Sequence, residues 1–424
     1  MGHGRQRAPR GRRWGDAPPP DPVPSALSAL HGLAAALVAT TLAQALATLA
    51  VFALPTLAPQ VARDLGVAPH LVGYQVALIY TAAATTSLRA GLVLARFGAA
   101  RSTQAALAAA ALGVTAIAWG GLVGAAAGSA LLGIGYGLTN PAATQVLSRL
   151  APANRRNMVF SIKQTGVPLG GAAAGLLLPV LSLLIGWRGA LSVVAVLAGL
   201  AALALGAFRP AWDVPVEGQG APGREGPRGL ALLRSQPGLL SLAGMGACFS
   251  AMQLSLGAYA VTMLVEEFGW TPVAAGGAAA ASLIAGAVGR LVWAAVADRL
   301  GAGLPVLAVI GLGTTLGAVA MPFALGWPWA LVLALLCAFG ACTAGWTGLS
   351  MAEGARLAPP GAAGAATGAI LAVTFTGVVI GPSIFALTVS LVGSYVGAFG
   401  VLAVVPAVGA SIAWRAYGQQ RGGS

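Results

Sequence analysis

The sequence predicts an all-α membrane protein with twelve transmembrane helices in two homologous six-helix halves. Only 8% of its 424 residues are charged and 58% are hydrophobic, whereas a soluble domain carries about 25% charged residues. Apolar runs of about 20 residues, the length that a helix needs to cross the hydrocarbon core, alternate with short polar turns. Short motifs from the first half of the chain also recur in the second.

The apolar runs define the predicted spans. They are continuous rather than alternating between apolar and polar residues, so they indicate helices and not the strands of a barrel. The predicted spans are 33–56, 71–94, 102–119, 123–147, 158–181, 189–208, 238–263, 273–295, 304–324, 328–350, 364–389 and 396–415.

The segments outside the spans predict the organisation of the chain. The basic, proline-rich N-terminus cannot bury a core, so we expect a disordered tail there. A polar segment rich in glycine and proline predicts a loop between the halves. The predicted regions are an N-terminal tail (1–30), an N-terminal half (31–208), a central loop (209–237), a C-terminal half (238–416) and a C-terminal tail (417–424).

The distribution of arginine predicts the orientation in the membrane. The net charge of +13 could suggest a nucleic-acid partner, but most arginines outside the spans fall on the side of the two termini. Only Arg63 and Arg188 fall on the opposite side. Because cytoplasmic loops concentrate positive charge, we expect both termini to be cytoplasmic, in a bacterial inner membrane. The expected partners of this monomer are lipid and a small molecule, and no nucleic acid.

The sequence offers no reactive constellation. His3, His31 and His70 are scattered and do not cluster with cysteine or acidic residues, so we expect no metal site. The three cysteines lie in apolar runs, where a free buried thiol is the ordinary state. No Walker phosphate loop is present. We therefore expect no catalytic residue, no cofactor and no enzyme, and any transport would be driven by an ion gradient, by exchange or by the substrate gradient.

Two short motifs repeat between the halves. An R-x-G triplet begins at Arg96, after the second span, and again at Arg299, after the eighth. The segment Thr165–Gly170 shares Thr-Gly-Val and a following glycine with Thr376–Gly381. Two homologous halves around a central loop are typical of a secondary transporter with its site near the midplane.

With these motifs, residues 31–416 resemble a transporter of the major facilitator superfamily. The family's loop motif G-x-L-A-D-R-x-G-R-R is matched by Gly91–Gly98 and echoed by Ala294–Gly301, with Ala95 in place of the first-half aspartate. The resemblance implies a gating latch, which we expect Asp298 to supply from the other half. The alternative is that Arg96, Arg299 and Asp298 only anchor the loops at the positively charged, cytoplasmic side of the membrane. The predicted gating residues are Gly91, Arg96, Gly98, Asp298, Arg299 and Gly301.

Glycine and proline are concentrated in the fifth and eleventh spans. The segment Gly166–Gly171 resembles the fifth-helix motif G-P-x-x-G-G of family antiporters, with one extra residue between glycine and proline. Both residue types loosen the backbone or thin the helix, so they allow a bend or close packing. The predicted helix-bending residues are Gly166, Pro168, Gly170, Gly377, Gly381 and Pro382, and packing alone is the alternative.

Three cations, Arg89, Lys163 and Arg290, lie inside predicted spans. No acidic residue lies near the centre of a predicted span. Charges in a membrane are costly and usually face a cavity, so the cations predict an anionic substrate. Anion carriers of the resembled family place an arginine in helix eight where Arg290 stands relative to Asp298. That resemblance implies anion binding at Arg290, with Lys163 across the cavity. The alternatives are a hydrogen-bond hub for Arg290 and an interfacial anchor for Arg89.

The sequence therefore predicts a secondary carrier of small organic anions, such as carboxylates, by alternating access with proton symport or exchange. A drug/proton antiporter is the alternative, which the glycine–proline motif favours and the absence of a carboxylate within the spans opposes. A sensor or assembly factor on the same fold is a third interpretation. Polar residues in the spans could complete the pocket or join helices. The predicted substrate-binding residues are Lys163, Arg290, Arg89, Gln44, Gln253, Tyr74, Asn140 and Gln164.

Overall fold

The computed structural model describes residues 1–2, 26–66, 72–213 and 229–422, and every regular element in these ranges is a helix. The first half contains six helices, with one short 3-10 turn before α5 and another after α6. Their bounds are α1 (Ala26–Leu65), α2 (Val72–Leu88), α3 (Ala90–Trp119), α4 (Gly121–Leu150), α5 (Arg156–Gln164) and α6 (Gly166–Ala204).

The remaining helices form the connection and the second half. Two short helices lie inside the predicted central loop. Residues 214–228 of that loop and most of the predicted N-terminal tail are outside the described ranges. The bounds are α7 (Arg209–Trp212), α8 (Gly229–Ser235), α9 (Pro237–Glu266), α10 (Pro272–Leu300), α11 (Gly303–Ala320), α12 (Trp329–Leu357), α13 (Ala363–Val392), α14 (Tyr395–Leu402) and α15 (Val404–Gly422).

Within the described ranges, ten helical stretches are long and apolar enough to cross a membrane. One of them, Ala153–Trp212, has 60 residues, enough for two crossings at 1.5 Å per residue. The 17-residue α2 supplies a further crossing together with the start of α3. The predicted all-helical, twelve-helix membrane fold is confirmed.

Two glycines explain why the helix bounds differ from the predicted spans. Gly98 within α3 and Gly186 within α6 have φ values of +81° and +72°, which side chains with a Cβ rarely adopt. The chain turns between two crossings at each of these single residues. The predicted boundaries at 94–102 and 181–189 therefore correspond to sharp turns rather than to loops.

The two halves use equivalent helix pairs. In the first half α1 packs against α6 and α2 against α4, and in the second half α9 packs against α13 and α10 against α12. Between the halves, α13 contacts α2 and α4, while α5 contacts α10 and α12. The short helix α5 therefore lies at the boundary between the halves.

Glycines set the distance within two of these pairs. A Cβ added to Gly170 would lie 2.2 Å from the Ala45 carbonyl oxygen, and one added to Gly377 would lie 2.1 Å from the Ala247 carbonyl oxygen. These distances are far below a normal contact, so only glycine allows the backbones to approach this closely. The same close packing holds α6 to α1 and α13 to α9.

The other two predicted helix-bending glycines lie at the same two interfaces. Gly166 and Gly381 face α1 and α9, where an added Cβ would lie 2.6 Å from the Thr41 carbonyl oxygen and 2.5 Å from a backbone atom of Ala251. Their part in bending stays a prediction.

We predict that Gly170→Leu and Gly377→Leu each lower the stability of the protein. Overpacking a tight contact costs about 1–3 kcal/mol and sometimes more, so the midpoint of thermal unfolding in detergent should fall by several degrees. Gly171→Leu is the matched control, because nothing lies within 4 Å of a Cβ at Gly171. Equal midpoints for Gly170→Leu and Gly171→Leu would contradict the proposed contact.

Candidate functional site

Lys163 lies at the centre of a group of side-chain amides. Its Nζ donates to Gln44 Oε1 (2.8 Å), to Gln164 Oε1 (3.1 Å) and to Asn140 Oδ1. The side chain is buried, with 1% of its residue surface exposed. An ammonium has three N–H donors and no acceptor, so these three oxygens match its hydrogen-bonding capacity.

Helical spacing brings these amides to the lysine. Residues four apart lie on one face of a helix, which places Gln44 with Thr48 on α1 and Asn140 with Tyr136 on α4. Gln44 Nε2 donates to Thr48 Oγ1 (3.3 Å), and the Tyr136 side chain lies beside Thr48. The cluster around Lys163 therefore joins α1, α4 and α5.

Arg290 of α10 binds two backbone carbonyls. Its Nε donates to the Ala344 oxygen of α12 (3.0 Å), and its Nη1 donates to the Gln164 oxygen of α5 (2.8 Å). The residue is 5% exposed. Because α12 belongs to the second half and α5 to the first, Arg290 ties the two halves together.

Gln164 connects the two cations. Its side-chain oxygen accepts from Lys163 and its backbone oxygen accepts from Arg290. All hydrogen-bond partners described for the two cations are neutral oxygens. The two buried cations thus share one residue as a hydrogen-bond partner, and none of their described contacts is to a carboxylate.

Three aromatic rings lie beside this group, at the boundary between the halves. Tyr80 of α2, Tyr136 of α4 and Phe375 of α13 have ring centroids 5.5–6.2 Å apart. Tyr136 lies one helical turn from Asn140, a partner of Lys163, so the rings lie beside the lysine cluster. An apolar wall beside positive charge suits a ligand with both an apolar and an anionic part.

Gln253 and Arg89 make their described hydrogen bonds outside this cluster. Gln253 Oε1 accepts from Trp346 Nε1 (3.1 Å) within the second half. Arg89 is exposed at the break between α2 and α3, where its Nη1 donates to the Thr85 oxygen (3.5 Å). Tyr74 lies in α2, but its side chain is outside the described part of the structure. The structure thus joins Gln44, Asn140, Lys163, Gln164 and Arg290.

Among the predicted gating residues, Asp298 connects the two halves. Its carboxylate accepts from the backbone N–H groups of Asn157 (3.1 Å) and Met158 (2.9 Å) and from the Asn157 side-chain amide (2.7 Å). Asp298 belongs to α10, and these donors lie in the first turn of α5. A carboxylate at a helix N-terminus is favourable because it meets free N–H groups and the positive end of the helix dipole.

The other predicted gating residues make fewer contacts. Arg96 and Arg299 are exposed, and the Arg96 guanidinium lies 5.3 Å from the Phe97 ring centroid. Gly91 is buried in α3, and Gly301 ends α10 with a φ of +63°. Their roles in gating stay predictions.

Two further polar residues with structural contacts were not predicted from the sequence. Gln145 Oε1 accepts from the Gly364 N–H (3.2 Å), so α4 caps the start of α13 in the other half. Asp213 Oδ1 accepts from the Ala100 N–H (2.7 Å), which caps the helix that follows Gly98. The four-residue spacing of Gln44 with Thr48 and of Tyr136 with Asn140 was a readable signal in the sequence, but Gln145 and Asp213 offered none.

Two cavities have linings that do not include the cations. One of about 480 Å³ lies along α10 and includes Trp293, and one of about 220 Å³ lies between α9 and α13 and includes Met252. Both are lined mainly by apolar residues, and neither is lined by Lys163 or Arg290. Because both residues are buried, the two cations are enclosed by protein in this conformation.

Comparisons with known proteins agree with this architecture. The family model described as Major Facilitator Superfamily matches residues 40–382 and 246–423. A comparison with curated proteins gave no match. The protein is similar in structure to FucP, a transporter of that superfamily solved in the outward conformation, with 17% identity, a TM-score of 0.72 and coverage of 91% of this chain and 99% of that chain.

Two further solved structures are similar. A single-residue variant of the E. coli fucose:proton symporter FucP has 16% identity and a TM-score of 0.72, covering 90% of this chain and 98% of that chain. The proton:xylose symporter XylE, bound to 6-bromo-6-deoxy-D-glucose, has 15% identity and a TM-score of 0.67, covering 91% of this chain and 96% of that chain. At these identities the likeness shows the fold alone.

We predict that Asn140→Leu destabilises the protein by removing one of the three oxygens around Lys163. An unpaired buried donor costs about 1–3 kcal/mol, which thermal unfolding in detergent would report. In the double variant with Lys163→Met, the loss of stability should be smaller than the sum of the losses in the two single variants. The reason is that the Lys163 ammonium, the donor that Asn140→Leu leaves unpaired, is absent too. Strict additivity of the two losses would contradict the pairing.

We also predict that Asp298→Asn allows the halves to separate more often, because it removes the charge at the start of α5. Spin labels at Asn154→Cys and Leu300→Cys, both exposed positions in opposite halves, would report longer distances by pulsed EPR in a cysteine-free background. Glu267→Gln is the control, since Glu267 caps α14 within the second half. An unchanged distance distribution for Asp298→Asn would refute the latch.

Proposed function

The chain belongs to the major facilitator superfamily, and from this premise we propose that it is a secondary transporter of a small, carboxylate-like organic anion. Members of the family are transporters, and the fold is that of a multi-pass membrane protein. Alternating access requires the two halves to separate on one side and then on the other. Arg290, Gln164 and Asp298 lie where that separation takes place.

One observation carries the proposal: two buried cations with neutral partners share Gln164, which lies at the boundary between the halves. Hydrogen bonds satisfy the donors of Lys163 but leave its charge uncompensated, and an uncompensated charge in a membrane interior is unfavourable. A carboxylate would supply the missing negative charge. It can also accept two parallel hydrogen bonds from a guanidinium such as that of Arg290.

We propose proton symport or anion exchange as the coupling. Two of the similar structures are named as proton symporters, which supports a proton as the coupling ion without identifying the residue that carries it. The proposed location is a bacterial inner membrane, with both termini cytoplasmic and the protein a monomer. The excess of arginine on the terminal side supports this orientation.

A drug/proton antiporter of the same superfamily is the second candidate. The Gly166–Gly171 motif favours it, because it resembles the antiporter motif. The neutral surroundings of Lys163 and Arg290 oppose it, since a carrier of cationic drugs needs a carboxylate to exchange a proton for the cation. Among the described residues, Asp213, Glu267, Asp298 and Glu353 instead accept hydrogen bonds from helix N-termini.

We predict that Lys163→Ala and Arg290→Ala each reduce carboxylate uptake into proteoliposomes by roughly tenfold or more, equivalent to about 1.4 kcal/mol of lost interaction. A panel of radiolabelled organic anions and neutral sugars would be compared at equal protein content. Arg415→Ala is the control, because it removes a positive charge at an exposed position of α15.

Two results would oppose this proposal. Undiminished carboxylate uptake in both variants would overturn the assignment of the site. Uptake of sugars alone, or increased drug tolerance of an efflux-deficient host that expresses the protein, would assign a different substrate class.

A further inference from the structure

The carbonyl of Gln164 has no donor within its own helix. In an α-helix each carbonyl accepts from the N–H four residues later. For Gln164 that residue is Pro168, which has no N–H and whose ring displaces the carbonyl four residues before it. The helix is accordingly interrupted here: α5 ends at Gln164, α6 begins at Gly166, and the next carbonyl, that of Thr165, accepts from Leu169 (3.1 Å).

Arg290 of the other half binds this free carbonyl. The Nη1–oxygen distance is 2.8 Å, and a second hydrogen bond of Arg290, to the Ala344 carbonyl, helps to fix the guanidinium. An unsatisfied carbonyl in a membrane interior is unfavourable. The proline therefore creates a requirement that a donor from the second half fulfils.

Two other prolines show that the effect depends on position. Pro141 in α4 frees the Gly137 carbonyl, which accepts from Ser87 Oγ (2.8 Å) within the first half. Pro179 lies in the same helix as Pro168, and the described contacts of the residue four positions before it, Gly175, include none to the second half. Of these three prolines, Pro168 places its free carbonyl at the boundary between the halves.

We infer that Pro168 is a positioning residue for transport: it presents the Gln164 carbonyl to Arg290, and the resulting hydrogen bond holds the halves together at the centre. The bond must break each time the halves separate. It lies one residue from Lys163, so movement of α5 also moves the cluster of Gln44 and Asn140. The inference depends on membership of the transporter family and not on the identity of the substrate.

Pro168→Ala tests the inference. The alanine restores an N–H that can bind the Gln164 carbonyl within the helix, so the bond to Arg290 should weaken. With the spin labels at positions 154 and 300 and no substrate present, we expect the ratio of separated to closed halves to rise roughly threefold or more. Pro179→Ala is the matched control in the same helix, and Pro141→Ala is a control within one half.

A second variant separates the proposed bond from a general effect on the helix. Arg290→Lys keeps the charge but lacks the planar fork that holds two carbonyls, so it should shift the same ratio in the same direction. The double variant with Pro168→Ala should shift the ratio little further, because both substitutions weaken the same hydrogen bond between Arg290 and the Gln164 carbonyl.

Either of two results would overturn the inference. The first is a distance distribution for Pro168→Ala equal to that of Pro179→Ala. The second is an additive effect in the double variant, which would show that Pro168 acts elsewhere. Since the measurement needs no substrate, its failure and a failure of carboxylate uptake are distinguishable.

Discussion

The lack of water in the hydrocarbon core is the constraint on which this structure depends. Every backbone carbonyl there needs a donor from the protein, and each proline inside a helix leaves one carbonyl without its usual partner. Ser87 satisfies the carbonyl freed by Pro141, and Arg290 satisfies the one freed by Pro168. The positions of these two prolines therefore decide where a side chain ties α4 to α2 and α5 to α10.

Comparison of the two halves distinguishes the helix packing that they share from the charged residues that only one of them has. Gly170 and Gly377 hold equivalent helix pairs at the same close distance, so this packing belongs to the scaffold. Lys163 has no such equivalent. In the second half its place falls on Thr374, whose carbonyl accepts from Ser250 (2.9 Å). The scaffold is symmetric, whereas the charges that would select a substrate are not.

The contacts between the halves are likewise unequal. The start of α5 is held by the carboxylate of Asp298, while the start of α13 is held by the neutral amide of Gln145. Ala95 stands where the family motif has an aspartate, so the first half contributes no carboxylate at that position. Because a charge stabilises a helix N-terminus more than a neutral amide does, the attachment of α5 is expected to be the stronger one.

The amino-acid sequence alone determined the membrane fold, the repeat and the three cations inside spans, because lipid imposes a length and a composition that can be read directly. It did not determine which helix faces meet. A helix that is apolar all round has no polar side to indicate its rotation, so the sequence ranked Gln253 and Arg89 beside Gln44 and Asn140. The tertiary structure decided that Gln44 and Asn140 surround Lys163 and that Gln164 joins it to Arg290, because only the packing of α1, α4, α5 and α10 brings these distant residues together.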